Sequence, residues 1–216
     1  MYRRQVVFAM LMAGAGVNGR TTMLPPSSRT ILVLGDSLSA EYGLRRGSGW
    51  VALLQKKLAE EHLPARVINA SISGETTAGG RSRLSALLAL HQPTHVLIEL
   101  GGNDALRGLP LEQSQENLIN MIHATQKTGA KVLLIGMQVP PNYGKDYAKR
   151  FTAMFASASQ ANRVALVPSL LKGLADSPET LADSARWFQT DRIHPREEAH
   201  PIMLTNVWSE LKKQLQ

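Results

Sequence analysis

The stretch "TILVLGDSLSA", residues 30–40, decides the fold. Four aliphatic residues, Ile31 to Leu34, run without alternation into Gly35-Asp36-Ser37, where the chain turns small and polar. A continuous run of this kind is the pattern of a strand buried on both faces, as in a parallel sheet. Four more stretches repeat it: "ARVINA" (65–70), "HVLIELG" (95–101), "KVLLIGM" (131–137) and "RVALVP" (163–168). Helical patterns lie between them. "GWVALLQKKLAEEHL" puts Trp50, Val51, Leu54 and Leu58 on one face, and "RSRLSALLALH", "LEQSQENLINMIHATQKTG" and "DYAKRFTAMFASASQ" follow. Gly129 stands where a helix would close before the fourth strand. A last helix is expected from about Arg196 to Leu215, with Pro201 in its first turns. Strand and helix alternate five times, which predicts an α/β fold: a three-layer α/β/α sandwich around a five-stranded, mostly parallel, doubly wound sheet.

The 216 residues, 44% hydrophobic and 19% charged, suit one core, and residues 30–216 read as a single domain. The start differs. "MYRRQ" is basic, "VVFAMLMAGAGV" is a short apolar run, and "AGA" at 13–15 offers small residues for cleavage. Residues 1–15 therefore read as a signal peptide, followed by a loose leader to about residue 29, and predict a periplasmic or secreted protein. The formal net charge of +7 allows transient contact with an anionic membrane surface or anionic substrates. Basic runs are short and aromatics are only 5%, so nucleic acid is not an expected partner. With no cysteine, thiol catalysis, disulfides and thiolate zinc sites are excluded.

In a doubly wound sheet, ligands bind beyond the carboxyl ends of the strands. The loops there hold Gly35-Asp36-Ser37-Leu38-Ser39, then Ser71-Ile72-Ser73-Gly74-Glu75-Thr76, then Gly101-Gly102-Asn103-Asp104. Near the C-terminus stands Asp191-Arg192-Ile193-His194-Pro195. Acyl transfer needs what these segments supply. A serine hydroxyl is a poor nucleophile until a base takes its proton. Histidine suits that task, and an acidic partner fixes its tautomer and stabilises the imidazolium. Ser37, His194 and Asp191 are the candidates. Asp191 and His194, three residues apart, can share one side of a turn. The oxyanion needs donors already aimed at it. The amides of Ser37 and Gly74 and the uncharged side-chain amide of Asn103 can serve.

These blocks, "GDSLS", "NASISGET", "ELGGNDALRG" and "DRIHP", resemble the SGNH hydrolases, also called the GDSL family, and stand in that family's order from about Ile31 to the final helix. With "PNYG" (141–144), they look most like its bacterial multifunctional branch. The resemblance implies a flavodoxin-like sandwich and a serine hydrolase that cleaves esters and thioesters of acyl chains, acting as esterase, arylesterase, thioesterase and lysophospholipase. It implies Ser37 as nucleophile, Asp191 and His194 as the rest of the triad, and Gly74 and Asn103 in the oxyanion hole. It also implies that the 137–147 segment lines an acyl pocket, with Ile72, Pro141 and Tyr143 as substrate contacts. The partner is then a small acyl ester, thioester or lysophospholipid, the working unit is a monomer, and neither metal nor cofactor is expected. The elbow G-x-S-x-G is absent, because Ser39 stands two residues beyond Ser37.

Other readings compete. The same scaffold serves carbohydrate O-deacetylation. Asp36 and Asp104, each beyond a strand, could hold magnesium, although such sites want more carboxylates and a nearby lysine. A silent lipid-binding protein would need a lost triad, and no member is missing. Ser37 could merely cap a helix. Asp36 and Asp104 read as acceptors that hold loop amides, and His62, His91, His95, His123 and His200 as structural or solvated residues. The loop at 71–82 is rich in glycine, serine and threonine and is a candidate for movement on binding. Glu99 falls inside a strand pattern and needs a partner there that the sequence does not identify.

Overall fold

Strand β1 (Arg29–Gly35) lies between β2 (Ala65–Asn69) and β3 (His95–Glu99), and β4 (Lys131–Ile135) and β5 (Ala165–Val167) extend the sheet beyond β3. The order is β2-β1-β3-β4-β5, and every pairing is parallel. The computed structural model describes residues 29–139, 141–174, 180 and 182–216. The expected signal peptide, with the leader up to residue 28, lies outside the described residues.

The aliphatic runs explain the layering. Successive side chains of a strand point to opposite faces, so an unbroken apolar run needs cover on both. Leu32, Leu34, Val96 and Ile98 face one layer, where they pack with Leu84, Leu88, Leu118, Met121, Ile122, Phe151 and Phe155. These come from α2 (Thr77–His91), α4 (Leu111–Lys127) and α5 (Lys145–Asn162). Ile31, Val33, Leu97, Leu133 and Ile135 face the other layer, with Trp50, Leu54, Leu58, Met203, Val207 and Leu211. There the cover is α1 (Trp50–Glu60) and the final helix α7 (His200–Leu215). The four residues expected on the inner face of α1 are all buried.

Two short α-helices also lie among the described residues, α3 (Gly102–Leu106) and α6 (Ser184–Trp187). Helix α2 starts four residues before the amphipathic pattern. Thr76 caps it, its hydroxyl accepting from the Gly79 amide at 3.2 Å. Gly80 then lets the helix close on the sheet, since a Cβ there would lie 2.4 Å from Leu100 Cδ1. The final helix is shorter than expected. A 3-10 turn at Glu197–Ala199 precedes it, and Pro201 falls in its first turn, where a missing N–H costs nothing.

Gly101 shapes the site most directly. Its φ of +125° is open to glycine and strained for other residues. It turns the chain from β3 into α3, which carries Asn103.

Candidate active site

Parallel strands end on one rim, so the loops after β1, β2 and β3 meet there. His194 reaches the same rim from the far end of the chain. Its Nε2 lies 2.9 Å from Ser37 Oγ, and its Nδ1 lies 2.7 Å from Asp191 Oδ2. The three expected triad residues are thus in hydrogen-bonding sequence, across 157 residues of chain between serine and histidine. The Tyr42 ring packs on the imidazole, with centroids 4.2 Å apart, a contact the sequence did not announce.

The turn that carries Asp191 and His194 is fixed by its own carboxylate. Asp191 Oδ1 accepts from the amides of Ile193 (2.9 Å) and His194 (3.0 Å), leaving Oδ2 for the imidazole. Arg192 takes φ +59° to close this turn. On either side, Phe188 and Pro195 form an antiparallel bridge, and the Gln189 amide donates to the His194 carbonyl at 2.8 Å. Pro195, immediately after His194, is held through this bridge.

Asn103 and Gly74 lie in the segments after the neighbouring strands β3 and β2. Asn103 Nδ2 donates to Asp36 Oδ2 at 3.0 Å. Asp36 Oδ1 accepts from the Leu38 amide, also at 3.0 Å, so one carboxylate ties the serine's loop to the asparagine. Gly74 has φ +80°, and its carbonyl accepts from Arg107 Nη2 at 2.8 Å. The Ile72 amide donates to the Gly35 carbonyl, and Glu75 pairs with Arg83, so both ends of the 71–76 segment are tied down.

Asp104 is buried and accepts from the amide and hydroxyl of Thr77 and from the Ser114 hydroxyl. Asp36 and Asp104 therefore face N–H and O–H donors, as loop-holding acceptors do. His200 Nδ1 accepts from the Trp50 amide at the start of α1, and burial lowers its pKa, which marks it as a structural residue. Glu99 has the partner that the sequence left open: its Oε2 accepts from Ser39 Oγ at 2.7 Å and from the Asp36 amide at 3.3 Å.

Of the expected substrate contacts, Ile72 is 51% exposed beside Gly74, and Tyr143 stacks loosely on Tyr147, centroids 5.7 Å apart. Pro141 begins a 3-10 turn, Pro141–Tyr143. Tyr42, Leu106 and Ile193 are also exposed, at 50%, 52% and 43%. Each lies within three residues of a site residue or touches one. Sequence patterning did not single them out, because a lone exposed apolar side chain on a turn or at the end of a five-residue helix leaves no periodic trace.

The carboxyls of the site differ sharply. Burial pushes Asp36 up to about 6, against the Leu38 amide, the charge of His194 and the Asn103 bond. Burial also opposes ionisation of Asp191. The amides of His194 and Ile193 and the bond to the imidazole more than offset it, and hold Asp191 down to about 2.

With this geometry stands the family. Residues 33–202 match the GDSL-like lipase/acylhydrolase family, and the chain belongs to it; it is a hydrolase of that family. It is 48% identical to the esterase TesA of Pseudomonas aeruginosa, over 86% of this chain and 89% of that protein. The crystal structure of TesA superposes with a TM-score of 0.80, covering 87% of this chain and all of the other. An arylesterase of Vibrio mimicus is 41% identical (88% and 91% covered). The thioesterase 1/protease 1/lysophospholipase L1 of Escherichia coli K12 is 37% identical (90% and 87%).

The lowered pKa of Asp191 has a consequence for stability. Its folded value lies below its ordinary 3.8, so ionised Asp191 favours the folded state above that value. This contribution is lost as pH falls through about 2. Because Asp191 is partly exposed, solvent screening keeps it small. Denaturant titrations at stepped pH should show wild type losing stability more steeply between about pH 4 and 2 than Asp191→Asn does. Parallel curves would show that the turn does not depend on the charge.

Proposed function

We propose that this chain is a serine hydrolase that cleaves esters and thioesters of apolar acyl chains, lysophospholipids among them, through an acyl-enzyme on Ser37. The observation that carries the reading is the Ser37–His194–Asp191 hydrogen-bond sequence at 2.9 and 2.7 Å. Ser37 Oγ attacks the acyl carbonyl carbon while its proton passes to His194 Nε2. Asp191, accepting from Nδ1–H, holds the tautomer that leaves Nε2 free to act as base and stabilises the imidazolium. The tetrahedral oxyanion is met by the amides of Ser37 and Gly74 and by the Asn103 side chain. Collapse breaks the C–O or C–S bond, and His194 gives its proton to the departing alkoxide or thiolate. Water, deprotonated by His194, then attacks the acyl-enzyme and frees the acid and Ser37.

The names of the relatives supply the substrate classes: ester, aryl ester, thioester and lysophospholipid. The exposed Tyr42, Ile72, Leu106 and Ile193 beside the site support an apolar acyl group, since such side chains offer contact area to a chain leaving water. They also suit brief contact with a membrane surface, where lysophospholipids reside, and the work is proposed for a monomer. The proposed pocket includes Ile72, Pro141 and Tyr143. Export remains part of the proposal and rests on residues 1–15. Recovery of the protein from its source cells in the cytosol with Met1 retained would overturn it.

Ser37→Ala should abolish labelling by a fluorophosphonate probe and reduce turnover of a p-nitrophenyl ester to background. Asn103→Ala should still be labelled but lose about 100- to 1,000-fold in kcat. An unchanged rate in Asn103→Ala removes it from the oxyanion hole. A panel of p-nitrophenyl esters from acetyl to palmitoyl separates the lipid reading from carbohydrate O-deacetylation. kcat/KM rising toward octanoyl supports the first. A sharp preference for acetyl supports the second.

A further inference from the structure

Glu99 takes no part in the scheme above, yet it lies directly under the nucleophile's loop. It is wholly buried at the carboxyl end of β3, where the register pairs it with Gly35. A Cβ on Gly35 would come within 2.8 Å of Glu99 Oε2, so this side of the loop is shaped around the carboxyl group. Oε2 accepts from Ser39 Oγ (2.7 Å) and from the Asp36 amide (3.3 Å). Trp50 Nε1, at the start of α1, donates to Ser39 Oγ at 3.2 Å, so the Ser39 hydroxyl accepts from the indole and donates to Glu99. Ser37 sits between two residues that Glu99 holds.

The surroundings also speak to its protonation. Among the described residues, no lysine or arginine pairs with Glu99, and Oε1 meets no protein partner. The titratable group facing it is Asp36, from the loop after β1; the charges of His194 and Asp104 act in turn on Asp36. Burial first, and the charge of Asp36 second, raise Glu99 well above the usual carboxyl range. A carboxylate with one bare oxygen beside a second acid is poorly stabilised in a dry interior, whereas a neutral acid is tolerated there.

We propose that Glu99 is a positioning residue of this active site: it grips the Asp36 amide and the Ser39 hydroxyl from beneath and so sets Ser37 Oγ against His194. It acts through the backbone of the loop and touches neither substrate nor His194. The proposal rests on Ser37 being the nucleophile. That premise fails separately, by undiminished turnover in Ser37→Ala.

The test compares Glu99→Gln, Glu99→Leu and Ser39→Ala, each checked for cooperative unfolding, on a soluble short-chain p-nitrophenyl ester from pH 6 to 9. Glutamine keeps the shape and an acceptor oxygen but cannot ionise, so kcat should stay within about threefold of wild type across this range. Leucine has a similar size and no acceptor. Its kcat should fall by about tenfold or more, and fluorophosphonate labelling should slow equally, with KM within about twofold. If Glu99→Leu fails to fold, Ser39→Ala removes one of the same bonds from the other side and should lower kcat alone. Three results overturn the proposal: Gln losing as much as Leu, which means the charge is required; Leu or Ser39→Ala retaining full kcat; or a loss expressed in KM.

Discussion

Everything in this molecule depends on five strands pointing the same way. Their carboxyl ends open on a single rim, and β1 has β2 on one side and β3 on the other. The connection leaving β1 runs to β2 on one side and the connection leaving β3 runs to β4 on the other, so a crevice opens between the carboxyl ends of β1 and β3. Ser37, Gly74 and Asn103 each lie in the segment that follows one of those three strands. His194 is different, since no strand delivers it. It comes after β5, and the rim has to be reached by a loop. Small contacts hold that loop in place: the Phe188–Pro195 bridge, the Gln189–His194 backbone bond and the Gln189 side chain, which donates to the Tyr42 carbonyl at 3.0 Å. The last of these links the histidine's loop to the serine's loop. The Arg45–Glu197 ion pair makes a second such link, though an exposed one of little energetic weight.

The strands were legible because burial on both faces writes an unbroken aliphatic run, and no polar residue interrupts Ile31 to Leu34. Helix α1 was legible because one stripe of its surface is apolar. Helix α2 was only half legible. Its first turn contains Gly79 and Gly80, which propensity marks as helix breakers, whereas Gly80 is there because Leu100 leaves no room for a Cβ. Helix α3 has five residues, too few for any period to show. The residues of the candidate site could be named because acyl transfer demands particular groups in particular loops. Their supports could not. Glu99–Ser39, Arg107–Gly74 and Tyr42–His194 join residues 60, 33 and 152 positions apart, and each pairing is set by packing that no local pattern encodes.

The carboxyl groups near Ser37 show how one residue type is put to different uses by its surroundings. Asp191 accepts two amides and an imidazole on a partly open turn, and its charged form is favoured. Asp36 is nearly as buried as Glu99 but has the Leu38 amide and the Asn103 side chain to receive its charge, so it is only moderately hindered from ionising. Glu99, with no exposure and one oxygen unpartnered, is hindered most. Negative charge is thus favoured at Asp191, beside the imidazole, and resisted at Glu99, beneath the serine's loop.

Asp36 resolves one further ambiguity. A terminal amide can turn either its oxygen or its nitrogen toward a neighbour, and only the nitrogen can serve an oxyanion. An ionised carboxylate accepts and never donates. Bonded to Asn103, it fixes the amide with the nitrogen at Asp36 Oδ2, and that same nitrogen carries a second hydrogen. With one hydrogen held by Asp36, the planar amide fixes the direction of the other, which is what the proposed oxyanion role requires. In the proposed scheme an ionised Asp36 would repel the oxyanion, yet without Asp36 the amide would be free to present its oxygen. A donor held in a known direction, at the expense of some repulsion, is the arrangement that the Asp36–Asn103 bond creates.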